Sequence, residues 1–120
     1  MDRVRMMTYQ GKTILLEDFS NLRPGPEFLT TIQTAQATIA AQPPRSVLAL
    51  LDASGASYNS EMISAMKNFV QANSPYIKCA AVVGITGLLN VALTTLSRVA
   101  GRPFHTFSTR QAAMDFLITQ

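Results

Sequence analysis

Two short runs, residues 46–52 and 78–84, limit the possible folds of this chain more than any other feature. Both are almost wholly apolar, which is typical of strands covered on both faces in a parallel sheet. Parallel neighbours cannot be joined by a tight hairpin, so a helix usually connects them. Because helical patterns surround both runs, the sequence predicts an α/β fold in which residues 46–52 form a central strand.

Four stretches carry apolar side chains at the spacing that places them on one face of a helix. The first begins at Pro26, since the first helical position needs no backbone donor, and ends at the Gln-Pro-Pro of residues 42–44. The second stops near residues 73–75, the third closes at Gly101, and Thr109 can cap the last. The predicted inward positions are Phe28, Ile32, Ala35 and Ile39; Met62, Met66, Phe69 and Val70; Leu89, Ala92, Leu96 and Val99; and Met114, Leu117 and Ile118.

The two ends of the chain supply the other strands. Residues 4–10 and 12–18 are predicted to form a hairpin about Gln10-Gly11, where the glycine supplies a positive φ. Residues 102–107 are predicted to form the last strand, and Pro103 near its start favours a sheet edge. The element order is therefore β-β-α-β-α-β-α-β-α, which predicts a five-stranded, mixed and mostly parallel sheet with four helices.

Length and composition set the broad class. A chain of 120 residues fits one domain with one core, so a single domain over residues 1–120 is expected. A charged fraction of 14% excludes the composition of a disordered chain. No apolar run approaches the ~18 to 20 residues of a spanning helix, and the N-terminus lacks the apolar core of a signal peptide. We therefore expect a cytoplasmic protein with no membrane span.

The residues that usually carry catalysis or bind metals are scarce. The chain has one cysteine and one histidine, too few for an intrachain disulfide or a metal cluster. Cys79 lies in an apolar run and is interpreted as a small buried hydrophobe, and His105 as a packed or surface imidazole. No two acidic residues have a spacing that indicates an acid and a base on one face. We predict a protein that is not an enzyme and needs no cofactor.

The formal charge of +3 is unevenly distributed. No aspartate or glutamate occurs between Met62 and Met114, and five basic residues do: Lys67, Lys78, Arg98, Arg102 and Arg110. Such asymmetry can attract an acidic protein, a phosphate or a nucleic acid, although charges this widely spaced are more often ordinary solvated positions. Aromatic residues are not interleaved with the basic ones, so the sequence argues against a nucleic-acid partner.

The richest candidate site follows the central strand. In parallel sheets, ligand-binding residues lie in loops after the carboxyl ends of strands. Three serines there are candidate phosphoacceptors or partner-docking residues, and a phosphate beside a helix N-terminus is electrostatically favourable. These candidates are Ser54, Ser57 and Ser60, with Asp52, Gly55, Tyr58 and Asn59 as the supporting loop. The alternative is that these residues only shape the turn and cap the next helix.

A second candidate is the turn after the next strand. Gly84, Thr86 and Gly87 precede the third helix, whose first backbone donors could hold an anion or small ligand. The turn lacks the length, lysine and hydroxyl of a phosphate-binding loop. The alternative interpretation is a glycine turn that permits close packing.

The element order and several segments resemble the STAS domain family, which includes anti-sigma-factor antagonists and regulatory domains of sulfate transporters. The segments are Leu50-Leu51-Asp52-Ala53-Ser54-Gly55-Ala56, Pro75-Tyr76-Ile77-Lys78, Ala81-Val82-Val83-Gly84-Ile85-Thr86-Gly87, Gly101-Arg102 and Phe107-Ser108-Thr109. Together they look like a branch of small stand-alone bacterial STAS-like proteins. Antagonist members are switched by phosphorylation of a serine in an Asp-Ser-Ser-Gly motif, where this chain has Asn59-Ser60-Glu61-Met62.

Two functions are therefore carried forward. The leading one is a non-enzymatic regulatory domain in signal transduction, contacting a protein partner such as a kinase or anti-sigma-type regulator through residues 52–60. The alternative is a small-ligand carrier, for a nucleotide or a lipid, that uses the loops after the strands. A homodimer is left open, because apolar residues such as Met6 and Met7 suit an interface or a core equally well.

Overall fold

The computed structural model describes residues 2–120. Its strands are β1 (Val4–Tyr9), β2 (Lys12–Asp18), β3 (Val47–Asp52), β4 (Ile77–Val83) and β5 (His105–Phe107). Its α-helices are α1 (Pro26–Ala40), α2 (Ser60–Asn73), α3 (Gly87–Ala100) and α4 (Arg110–Leu117), and a 3₁₀ turn (Ser74–Tyr76) follows α2. The predicted element order and α/β class are confirmed.

The five strands lie in the order β1-β2-β3-β4-β5, so β3 is central as predicted. The β1–β2 pair is antiparallel and the other three pairs are parallel. Each parallel strand lies beside the one before it in sequence, always on the same side. Because such crossovers are right-handed, α1, α2 and α3 all fall on one face. Among the helices of residues 2–120, α4 alone packs on the other face, against β3 and β4.

Two apolar layers result from this arrangement. The thicker layer lies between the sheet and α1, α2 and α3, and it includes Phe19, Phe28 and Phe69. The thinner layer lies between the sheet and α4, whose Ala113 and Leu117 are buried. The predicted inward positions are buried or half-buried in these two layers.

The local signals for turns and helix ends correspond to the observed geometry. Gln10 and Gly11 have φ of 48° and 83°, as a two-residue turn with positive φ at both positions requires. Gly101 ends α3 with a left-handed φ of 72°, and the Thr109 side chain accepts a hydrogen bond from Ala112 at the start of α4. The hairpin and these two helix ends are therefore where the sequence placed them.

The last strand is shorter than predicted. It covers only His105–Phe107 rather than residues 102–107. Arg102 instead donates hydrogen bonds to the Ser74 carbonyl at 2.9 Å and to the Ile77 carbonyl. These bonds hold the segment before β5 against the connection between α2 and β4, so it does not pair with the sheet.

Among the helices of residues 2–120, none combines the length and the hydropathy needed to span a lipid bilayer. The longest, α1, has 15 residues.

Candidate functional site at the carboxyl edge of the sheet

Four parallel strands end at the same edge of the sheet, which gathers the loops that follow them. The loop after β3, residues 53–59, lies between the loop after β2 and the turn after β4. Its backbone is joined to the loop after β2 and to the end of β4: the Asn21 amide donates to the Ser54 carbonyl at 2.8 Å, and the Ala53 amide donates to the Val83 carbonyl at 2.8 Å. The predicted site is therefore a fixed part of the sheet edge.

Further contacts hold residues 53–59 against the loop after β2. The Ser57 amide donates to the Leu22 carbonyl at 2.9 Å. Gly55 has a φ of +70°, and a Cβ there would lie 2.3 Å from Oδ1 of Asn21. The positive φ therefore favours glycine, and any larger residue would also displace the Asn21 side chain.

Asp52, the last residue of β3, anchors the edge by its carboxylate. One oxygen accepts from the Ser54 amide at 2.9 Å, and the other forms an ion pair with Nε of Arg110 at 2.6 Å. Arg110 also lies 3.4 Å from the Asp18 carboxylate at the end of β2. Burial raises the pKa of Asp52, but the hydrogen bonds from Ser54 and the Arg110 charge outweigh burial and hold it below its usual value.

Removing the charge from either member of the Asp52–Arg110 pair should destabilise the protein. Asp52→Asn keeps an oxygen for the Ser54 amide, whereas Arg110→Gln leaves a buried carboxylate without its cation. Arg110 is 37% exposed, so water offsets part of the loss and we expect about 2 kcal/mol for Arg110→Gln. Urea unfolding of both single variants and the double variant measures the coupling energy. A double variant whose loss equals the sum of the single losses contradicts the pairing.

The three predicted serines occupy different environments. Ser54 is half-buried, and its hydroxyl is held between the Asp52 carboxylate and Gly84. Ser57 is exposed, and its hydroxyl accepts a 2.9 Å hydrogen bond from the Arg23 guanidinium. Ser60 is exposed as the first residue of α2. The two accessible hydroxyls are therefore those of Ser57 and Ser60.

The two residues between these serines support the loop and α2. Asn59 is the N-cap of α2, and its side chain accepts from the Met62 amide at 2.9 Å. Tyr58 packs edge-on against Phe28 with 5.7 Å between ring centroids. Its hydroxyl is buried and has no hydrogen-bond partner within residues 2–120.

The turn after β4 packs closely at its start and is open at its end. Gly84 has a φ of +71°, and a Cβ there would lie 2.8 Å from Cα of Ser54. Thr86 and Gly87 are exposed, and a Cβ on Gly87 would meet no atom within 4 Å. Gly84 thus permits the loops after β3 and β4 to touch, while Thr86 and Gly87 lie at the exposed start of α3.

The other residues considered from the sequence lie away from the loops after the strands, or their side chains already bind other groups of the protein. Cys79 is buried against the α4 layer, and burial raises the pKa of its thiol, which disfavours a reactive thiolate. His105 packs against Phe116 with 4.6 Å between ring centroids and the two rings tilted by 47°. Of the five basic residues, Arg102 and Arg110 already bind backbone carbonyls and carboxylates. Across residues 2–120 no group of three His, Cys, Asp or Glu side chains is placed to hold a metal ion.

Two residues of interest were not identified from the sequence. Arg23 approaches Ser57 from a loop 34 positions away in the chain, so no local pattern could indicate it. Glu17 is 4% exposed in the thicker apolar layer. The alternation of Leu15 and Glu17 on β2 with Phe19 directly after it was the available signal, because residues two apart on extended chain share a face.

Comparison of the chain with protein-family models, with curated proteins and with solved structures finds no match in any of the three. What can be inferred about function therefore depends on the residues and their geometry.

Proposed function

We propose that this chain is a STAS-like, non-enzymatic regulatory domain that contacts a protein partner through residues 52–60, and that phosphorylation of Ser57 or Ser60 controls the contact. The single observation that carries the proposal is the placement of two exposed hydroxyls on a loop whose backbone is fixed by neighbouring loops. The element order and the mixed five-stranded sheet are compatible with a STAS-like fold.

The surroundings of Ser57 favour a phosphate. A phosphoserine carries nearly two negative charges and three acceptor oxygens, which pair well with a guanidinium. Arg23 already donates to the Ser57 hydroxyl. Phosphorylation would replace this neutral contact by a charge-assisted one and change both the charge and the shape of the exposed loop.

Ser60 offers a second acceptor position. It is the first residue of a 14-residue helix, where the unpaired backbone amides and the helix dipole stabilise negative charge. Its hydroxyl occurs where the resemblance places the phosphorylated motif, although the flanking residues differ.

A preformed loop also lowers the conformational entropy lost on binding, which favours a role in protein contact.

Phosphorylation can be tested by incubating the purified protein with lysate of its source organism and ATP, followed by peptide mass spectrometry. We expect near-stoichiometric phosphate on Ser57 or Ser60, and its loss in the matching Ser→Ala variant. Ser64, which is exposed one turn further along α2, is the internal control and should stay unmodified. Phosphate confined to other residues, or absent from all of them, would contradict the regulatory part of the proposal.

Protein contact is tested separately by photo-crosslinking. A photoreactive amino acid replaces Ser57 in one variant and Ala41 in the other, since Ala41 is exposed at the far end of α1. We expect a discrete crosslinked species with the Ser57 probe, absent with the Ala41 probe and reduced after phosphorylation of Ser60. Equal crosslinking at the two positions would indicate non-specific contact and exclude residues 52–60 as the docking surface.

A further inference from the structure

Glu17 places a carboxyl group inside the thicker apolar layer. It lies on β2 opposite Leu51, which in turn lies opposite Val82 on β4. Side chains in register across a parallel sheet share a face, and both of these neighbours belong to the layer under α1, α2 and α3. The Glu17 carboxyl is therefore directed into the same layer.

The carboxyl group borders a narrow cavity between the sheet and the helices α2 and α3. The cavity has a volume of about 60 Å³ and is partly open to solvent. Most of its wall is apolar, with Leu51, Val82, Met66, Phe69, Leu89 and Leu96 among the lining residues. A dry cavity of ~150 Å³ accommodates a benzene ring, so this one is too small to enclose a ring. Because it is partly open to solvent, a straight chain can enter it by one end while the rest lies outside.

Within residues 2–120 no hydrogen bond contributes to the pKa of the Glu17 carboxyl, and burial alone raises that pKa to about 8. The charge of Glu17, when present, raises the pKa of the buried Tyr58 hydroxyl further, so the two groups lie near one another. Buried polar groups in proteins are nearly always hydrogen-bonded. A carboxyl group without a protein partner at the wall of a cavity is free to hydrogen-bond a molecule that enters the cavity.

We propose that the cavity between β2–β4 and the helices α2 and α3 binds an unbranched, uncharged molecule, an alcohol or ketone, whose oxygen hydrogen-bonds the Glu17 carboxyl group. The apolar wall binds the hydrocarbon chain, because removing its surface from water is favourable. Asn73, Ser74 and Arg102 also line the cavity, and two nitrogens of the Arg102 guanidinium already donate to backbone carbonyls. A charged ligand is disfavoured because an ion would lose its hydration against the apolar remainder of the wall. Tyr58 lies near Glu17, but Ser57 and Ser60 do not line the cavity, so neither proposal depends on the other.

The test titrates ¹⁵N-labelled protein at pH 6.5 with four six-carbon probes: 1-hexanol, hexanoate, hexylamine and cyclohexanol. We expect saturable chemical-shift changes with 1-hexanol at the amides of Leu51, Val82 and Leu89, and binding about tenfold weaker for the two charged probes. Cyclohexanol matches the carbon count but not the width, and it should give no saturable change. Tighter binding of hexylamine or hexanoate, or shifts centred elsewhere, would overturn the proposal.

Two variants separate the carboxyl group from the cavity. Glu17→Gln keeps a neutral hydrogen-bonding group and should bind 1-hexanol within threefold of the parent. Glu17→Leu replaces the acid by a side chain suited to an apolar layer, so it should fold and bind 1-hexanol about tenfold more weakly. Equal affinity for 1-hexanol in the parent and Glu17→Leu would show that the carboxyl group does not contact the ligand and would refute the assignment.

Discussion

Glu17→Gln is expected to stabilise the protein at alkaline pH. The difference in free energy of unfolding between Glu17→Gln and the parent should be about 4 kcal/mol larger at pH 8 than at pH 4. The reason is the cost of ionising a carboxyl group that is 4% exposed in an apolar layer. Glutamine has nearly the same shape as protonated glutamic acid and never ionises. Urea unfolding of both proteins at pH 4, 6 and 8 measures the effect.

The sign follows from the two protonation equilibria. Burial raises the pKa of Glu17 from 4.5 to about 8 in the folded protein. Below pH 4.5 the group is protonated whether the chain is folded or unfolded, so it has no effect on the pH dependence. Between these values only the unfolded chain ionises, and the parent loses ~1.4 kcal/mol of stability for each pH unit. Above pH 8 both forms are ionised and the loss levels off.

A matched control uses Glu61, which is exposed in the first turn of α2. Glu61→Gln removes the same charge from a solvated position, and its stability relative to the parent should change by less than about 0.5 kcal/mol over the same pH range. Parallel stability curves for the parent and Glu17→Gln would show that Glu17 is hydrated in the folded protein. That result would also remove the main support for the ligand cavity.

The fold could be predicted from the sequence largely because its signals are local. The apolar strands β3 and β4, the helical spacing between them and the caps at Gly101 and Thr109 each depend on residues close together in the chain. The sequence predicted β3 at the centre of the sheet and β5 at an edge, but not the full strand order. In the observed order each parallel strand lies beside the previous one, and right-handed crossovers then place α1, α2 and α3 on one face of the sheet.

The errors and omissions concern contacts between distant residues. The strand predicted over residues 102–107 is shortened because Arg102 bonds to Ser74, 28 positions earlier. The loop after β3 was identified from its hydroxyls, but only the structure distinguishes the half-buried Ser54 from the exposed Ser57. The Arg23 contact likewise needs the folded chain, because it joins two loops that helix α1 separates in sequence.

The loops after β3 and β4 should be unable to keep their contact when Gly84 is replaced by alanine. The new Cβ would lie 2.8 Å from Cα of Ser54 and 2.2 Å from its hydroxyl oxygen, and the backbone φ is +71°. A positive φ alone costs an alanine ~1–2 kcal/mol, and the overlap with backbone adds to this cost. We expect Gly84→Ala to lower the free energy of unfolding by about 3 kcal/mol, measured in urea.

Gly87→Ala separates the two causes, because Gly87 has a φ of +60° and a Cβ there would meet no atom within 4 Å. It should cost only about 1 kcal/mol, and the difference between the variants then measures the contact with Ser54. Adding Ser54→Gly to Gly84→Ala removes the hydroxyl overlap but not the overlap with Cα, so about a third of the loss should be recovered. Equal losses for Gly84→Ala and Gly87→Ala would mean that the two loops are not in contact. The loop carrying Ser57 would then lack one of its two supports and would be a less rigid surface for a partner than we propose.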